Sequence, residues 1–428
     1  METKEKNNIY RWLILAVLVL AFTSTFVSRF IWAPVLSAAA PDLGISMAEA
    51  GSLMAAFYIG YLVTQIPGGF LADKFRVKYL LFASVMGVAA LTLAMAYAQD
   101  FSSGCVYRVC GGLFSGGIMA FCSRLLSNYF EPQERGVAFG ILLASPSLGS
   151  LIANQLAPLA LAGGGWRGAF QASAFTIAVI ALLVLAVVRE PKQAEAVSGD
   201  RTSFTAGIKN YFTNRQILII SVAGFFFMGI PAGYITWANR FITGAAPGGA
   251  GLTVMQAGLI VTAFSIFSIA GSIGSGFLGK RFKIDPKTCS AAVFAMMIVT
   301  LLAFSLQRSF STLLMTSVFF GLFSNMAGTH LAYWAVNIGG DRYAATTTSI
   351  QCLIFQSSNV AVPIVTGAML DSQTVNGVVG SYMPVWMLFC VLLAAALISI
   401  LLASRESAVA AMRLPVRAKT ARQAVANA

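Results

Sequence analysis

Apolar residues in this chain form long unbroken stretches, with little alternation between apolar and polar positions. Twelve stretches reach spanning length: residues 11–40, 48–71, 78–98, 101–129, 136–161, 168–188, 216–243, 254–279, 287–306, 310–336, 343–370 and 381–404. About 20 apolar residues in helical form cross the hydrocarbon core of a bilayer. A helix is also the form that satisfies its own backbone there. Each stretch therefore predicts a transmembrane helix, and the fold class is an all-α membrane protein. The longest polar interval, 189–215, separates six runs from six. The expected organisation is a first six-helix bundle over 1–188, a cytoplasmic linker over 189–215, a second bundle over 216–404 and a basic cytoplasmic tail over 405–428.

The two halves resemble each other. The segment opening Gly112-Leu-Phe-Ser in the fourth run matches the one opening Gly321-Leu-Phe-Ser in the tenth, and Gly69-Phe-Leu-Ala after the second run matches Gly276-Phe-Leu-Gly after the eighth. Two pseudo-symmetric bundles imply a site between them near mid-membrane, reached by rocking one against the other.

Composition agrees: 58% of the 428 residues are hydrophobic and 10% charged, against about 25% charged in soluble domains. The net charge of +13 is not a nucleic-acid signal once the charges are placed. Lys4, Lys6 and Arg11, then Lys74, Arg76 and Lys78, then Arg135, the linker, Lys280, Arg281, Lys283 and Lys287, Arg342 and the tail all fall on one side; Arg167 and Arg308 fall on the other. By the positive-inside rule both termini and the linker are cytoplasmic, and the absence of any Asn-x-Ser/Thr site favours a bacterial-type inner membrane. The tail reads either as a solvated arm or as a contact for anionic lipid. Cys105, Cys110, Cys122, Cys289, Cys352 and Cys390 lie inside apolar runs without metal spacing and read as small buried hydrophobes. No cofactor is expected, and no nucleophile–base pair or phosphate loop points to an enzyme.

One charge interrupts the first run: Arg29. A charge near the centre of a spanning helix costs roughly 2.5–3.5 kcal/mol on insertion scales and usually faces a polar interior. Arg108 stands in the fourth run. All fifteen acids fall in tails, loops or helix ends, so no carboxylate is available in the membrane interior to pair these arginines. An unpaired buried charge is costly, and the arginine fork meets a carboxylate with two parallel hydrogen bonds. A substrate anion is the natural partner. At about 1.5 Å per residue, Arg29 lies roughly 16 Å and Arg108 about 10 Å below the outer ends of their helices, close enough to share one ligand.

Tyr58, Tyr61 and Gln65 share a helix face by their spacing and read either as cavity lining or as packing. Tyr234 and Trp237 in the seventh run read as residues that close over substrate, with interfacial anchoring the alternative for Trp237. Gln356 and Asn359 offer neutral contacts from the second half or hydrogen bonds between helices. Arg124 reads either as a substrate contact or as a cytoplasmic gate through Glu131 or Glu134. His330, the one histidine, reads either as a coupling group, since its ordinary pKa lies near neutrality, or as a hydrogen-bonded packing residue. Ala144-Ser-Pro146 predicts a bend in the fifth run.

The loop Gly69-Phe-Leu-Ala-Asp73-Lys-Phe-Arg76-Val-Lys78 resembles the helix 2–3 signature of the major facilitator superfamily, with Arg76 in place of the usual glycine. Asp73 in that signature caps helix ends and holds one state of the carrier. A narrower set of matches runs through the first half: Val27-Ser-Arg29; Asp42-Leu-Gly-Ile-Ser; Ala56 to Gly69; Asn128-Tyr-Phe-Glu-Pro-Gln-Glu134-Arg-Gly136; and Gly165-Trp-Arg-Gly-Ala-Phe170. These resemble the anion–cation symporter branch, carriers of sugar acids and other organic anions. The resemblance implies the major facilitator fold. It also implies an anion site that includes Arg29 and Arg108, with Tyr61 at the substrate. Many proton-coupled members carry acids where this chain has Ser28 and Ser115, so proton coupling through those two positions is not expected.

The expectation is a monomeric secondary transporter that moves a small organic anion, a carboxylate or sugar acid, by alternating access. Its coupling partner would be a proton or an exchanged anion. The alternatives are an inorganic-anion carrier of the nitrate or cyanate type, a proton-driven drug exporter, and a membrane sensor that binds without flux. The exporter usually needs an embedded acid, and none is visible.

Overall fold

The structure is a computed structural model that describes residues 2–131, 134–189, 201–282, 286–339, 344–375 and 378–404. Nearly all of it is helix, as the apolar runs predict. The first half contains α1 (Glu2–Phe30), α2 (Trp32–Asp42), α3 (Met47–Lys74), α4 (Val77–Met95), α5 (Phe101–Ser115), α6 (Ile118–Tyr129), α7 (Arg135–Leu142) and α8 (Ser145–Val187). After α9 (Arg201–Thr213), the second half contains α10 (Arg215–Thr243), α11 (Val254–Phe282), α12 (Pro286–Leu306), α13 (Phe310–Gly339), α14 (Ala344–Ser372) and α15 (Met383–Leu402).

Eleven stretches among the described residues are long and apolar enough to cross a membrane, and one of them, Val137–Val187, is 51 residues long. At about 1.5 Å per residue it would measure some 75 Å, more than twice a bilayer core. It breaks at Gly165, whose φ of 63° and ψ of −163° are not helical. This is a backbone conformation that glycine adopts at little cost. The stretch is thus two passes, which gives the twelve that the hydrophobic pattern predicts.

Several runs expected as single helices are segmented, each for a local reason. The first is interrupted at Ile31, between α1 and α2. Pro34 has no N–H for the Phe30 carbonyl, and its ring crowds that oxygen. The fourth run turns at Gly116-Gly117, where a Cβ on Gly116 would meet the Tyr61 carbonyl and Thr64. The fifth is interrupted between α7 and α8, with Pro146 in the first turn of α8, at the bend the sequence predicts. Within the polar interval, α9 docks on the second half through a Tyr211–Ser221 hydroxyl contact of 2.5 Å. A two-stranded antiparallel ribbon, β1 (Thr374–Val375) with β2 (Val378–Val379), precedes α15.

The internal repeat is visible in the packing. A Cβ on Gly112 of α5 would strike the Phe57 carbonyl of α3, and a Cβ on Gly321 of α13 would strike the Phe264 carbonyl of α11. Matched glycines therefore let matched helix pairs approach backbone to backbone, as small residues do in membrane bundles.

Contacts between the halves cluster toward the end that carries the α2–α3 turn. The Asp371 carboxylate of α14 accepts from the backbone N–H groups of Met47 at 2.6 Å and Ala48 at 2.9 Å, capping the N-terminus of α3. Asn239 donates to Asn154 at 2.9 Å, Gln155 to Thr262 at 2.7 Å, and Ser265 to Ser150 at 2.9 Å.

Candidate functional site

Arg29 occupies the last turn of α1 and is 1% exposed. Its guanidinium carbon lies 4.2 Å from the ring centre of Tyr58, 4.9 Å from those of Phe26 and Tyr61, and 5.0 Å from that of Phe57. Phe26 is one turn back on α1, and the other three rings come from one stretch of α3. The cation is thus boxed by ring faces, an arrangement worth about 2 kcal/mol per contact when desolvated. The rings hold the side chain but do not consume its donors: Nε and Nη2 are buried without a hydrogen-bond partner. The Tyr58 hydroxyl interacts with the same guanidinium.

Arg108 of α5 is 3% exposed. Its Nη1 donates to the Ser28 carbonyl at 2.9 Å and its Nη2 to the Arg29 carbonyl at 3.4 Å. The Trp32, Phe57 and Phe170 rings surround it at 5.7, 5.9 and 6.0 Å. Both guanidinium groups therefore border the Phe57 ring. Among the described residues, no carboxylate pairs with either of them: the two ion pairs found are Arg11–Glu134 and Arg167–Asp42.

The second half contributes at the Tyr61 side. The Gln356 side chain interacts with the Tyr61 hydroxyl, and Asn359 Nδ2 donates to Gln356 Oε1 at 2.8 Å. Below Tyr61, Gln65 Nε2 donates to Cys352 Sγ at 3.0 Å. Gln65 Oε1, Asn359 Oδ1 and Ser115 Oγ are buried without partners. The Ser28 hydroxyl meets Thr92 of α4 at 2.6 Å.

Arg29, Tyr58, Tyr61, Gln356 and Asn359 thus come together, with Arg108 behind them and Gln65 below. Tyr234 and Trp237 do not join them. Tyr234 is stacked within the second half at 4.7 Å from Phe264, 4.9 Å from Phe320 and 5.1 Å from Phe304, its hydroxyl 2.6 Å from Ser317. Trp237 Nε1 donates to Thr366 at 2.7 Å. Both are core residues with satisfied polar atoms, because the face of α10 that carries them turns toward its own bundle. Glu134, one of two acids expected to serve Arg124 of α6, is gripped by Arg11 at 2.6 and 2.9 Å. The side chains of Asp73 and His330 lie outside the described residues. Phe26 and Phe57 were not expected at the site; only the spacing of Phe26 three residues before Arg29 would have signalled it.

The defining pattern of the Major Facilitator Superfamily matches residues 18–363. The hexuronate transporter of Bacillus subtilis is 22% identical over 78% of this chain and 83% of its own length. The gallate transporter of Pseudomonas putida is 26% identical over 70% of this chain and 73% of its own. Among solved structures, a bacterial homolog of the human lysosomal transporter Spinster, inward-facing and unoccupied, aligns with a TM-score of 0.74 at 18% identity, covering 94% of this chain and 97% of that one. The nucleoside transporter NupG aligns with a TM-score of 0.74 at 15% identity, covering 91% of this chain and 98% of that one. The relatives found are carriers and not enzymes, and the solved structures share the fold. This chain belongs to the major facilitator superfamily.

Proposed function

We propose that the chain carries a small organic anion, a carboxylate or sugar acid, across the bacterial inner membrane by alternating access, with Arg29 as the anion's anchor. The observation that carries this reading is the pair of unpartnered nitrogens, Nε and Nη2, on a guanidinium 1% exposed and without a carboxylate among the described residues. A carboxylate would take both N–H groups in the fork geometry that arginine favours. Tyr58 and Tyr61 would flank it, and Gln356 and Asn359 would supply neutral hydrogen bonds from the second half. The relatives named for hexuronate and gallate favour the organic-anion class.

In this mechanism the six-helix halves, 1–188 and 216–404, rock about the site as a monomer with both termini cytoplasmic. The anion neutralises Arg29 and lowers the penalty for enclosing it. An empty carrier closes poorly, which favours exchange or symport over free uniport. Neither Ser28 nor Ser115 can supply a titrating carboxylate, so a coupling proton would have to be carried elsewhere.

The test is a thermal-shift series on purified protein with glucuronate, gallate, succinate, nitrate and a cationic drug. Binding to the folded state raises apparent stability. Stabilisation by a carboxylate and not by nitrate or the drug supports the reading; stabilisation by nitrate alone, or by the drug alone, sinks it.

A further inference from the structure

The two buried arginines differ in what their nitrogens do. Arg29 has Nε and Nη2 without a partner, whereas both terminal nitrogens of Arg108 donate to backbone carbonyls and Nε alone lacks a partner. The carbonyls belong to Ser28 and Arg29, in the turn just before the interruption at Ile31. The interruption follows from Pro34, which removes the donor to the Phe30 carbonyl and whose ring, crowding that oxygen, displaces the adjoining turn that carries Ser28 and Arg29. In the membrane interior no solvent replaces a missing donor, so an opened turn must be satisfied from within the protein. Arg108 does this from a neighbouring helix with a planar fork able to reach two oxygens at once. The rings of Trp32 and Phe170, 5.7 and 6.0 Å away, wall it in. The far side of the interruption is pinned too: Trp32 Nε1 donates to the Ala50 carbonyl of α3 at 3.1 Å. Arg29 itself therefore hangs from a turn that is clamped on both sides.

We propose that Arg108 is a positioning residue, not a ligand of the anion: it staples the broken turn of the first pass and so aims the Arg29 guanidinium into the ring box. The inference rests on the reading of Arg29 as the anchor, but the staple can be tested without any anion. A staple already holds the turn through its terminal nitrogens before substrate arrives, and its removal loosens the backbone of the empty protein.

The experiment is hydrogen exchange on the full chain in lipid nanodiscs, without added anion, following peptides across residues 26–36. Loss of two charge-assisted bonds to the turn is expected to speed exchange there by about tenfold in Arg108→Gln. Arg29→Gln should leave it unchanged. Pro34→Ala combined with Arg108→Gln restores the donor to the Phe30 carbonyl and removes the ring that crowds it, which lets the helix run on through the turn and should return exchange toward wild type. Binding of glucuronate and gallate is measured alongside, and the double variant should regain most of the binding that Arg108→Gln loses. Wild-type exchange in Arg108→Gln overturns the proposal. So does a double variant that exchanges like wild type yet has lost the binding wild type shows, which would make Arg108 a ligand. If Arg108→Gln fails to accumulate, Arg108→Lys keeps the charge without the fork, and wild-type exchange in that variant overturns the staple equally. If neither carboxylate binds wild type, the anion reading fails while the exchange data still decide the role of Arg108.

Discussion

The first pass of each half carries a residue enclosed by aromatic rings, and the two enclosures serve opposite ends. Arg29 sits among Phe26, Phe57, Tyr58 and Tyr61, with two nitrogens unpartnered. Tyr234 sits among Phe264, Phe304, Phe320 and Trp386, with its one hydroxyl engaged by Ser317. Phe57 and Phe264 are matched by the repeat, each with its carbonyl against a matched glycine. The architecture is shared, and the polar account differs. A satisfied hydroxyl among rings makes a rigid core; a charge with free donors among rings makes a place for something else. Among the described residues, the matched positions thus hold a cation with free donors in one half and a packed aromatic core in the other, with the Gln356–Asn359 pair beside the first.

The sharpest way to break this contrast is Arg29→Gln. Removing a desolvated charge contact to substrate should lower uptake by about a hundredfold or more. The protein should stay folded, since no partner charge is left stranded; uptake into proteoliposomes and the melting temperature check both halves of that statement. Next comes Tyr234→Ala, expected to cost about 3–5 kcal/mol of stability by emptying an aromatic core. It should leave the apparent affinity for substrate unchanged in the protein that remains folded, which denaturation and uptake kinetics together would show. Tyr61→Phe should weaken substrate affinity by about tenfold or less through loss of one hydrogen bond, visible in KM with little change in melting. The smallest effect expected is from Tyr234→Phe, about 1 kcal/mol of stability for the Ser317 bond, with transport at the wild-type level. Equal transport losses in Tyr61→Phe and Tyr234→Phe would erase the distinction between the two enclosures.

Much of this was legible in the sequence because the bilayer enforces it. Spanning length gave the passes, a lone charge in an apolar run gave Arg29, and the spacing of Tyr58 and Tyr61 gave a common face. Other features were not legible for specific reasons. Phe26 and Phe57 look like any apolar residue in a run, since hydropathy does not separate a ring facing lipid from one facing a cation. Tyr234 and Trp237 carry polar tips that suit a cavity or a core equally, and only the packing of α10 decides. Asp371 could be placed at a helix end, but its partner, the N-terminus of α3, lies over 300 residues away in sequence. Pro34 was visible, and the interruption at Ile31 could have been read from it; the partner that repairs the interruption could not.

An anchoring Arg29 must recognise negative charge. Equilibrium binding of gallate and glucuronate, each against its neutral methyl ester, to wild type and to Arg29→Gln tests it most directly. Wild type is expected to prefer at least one acid over its ester by about tenfold or more, and the variant to lose the preference. The same preference in the variant would place the anion elsewhere and rule out Arg29 as its anchor.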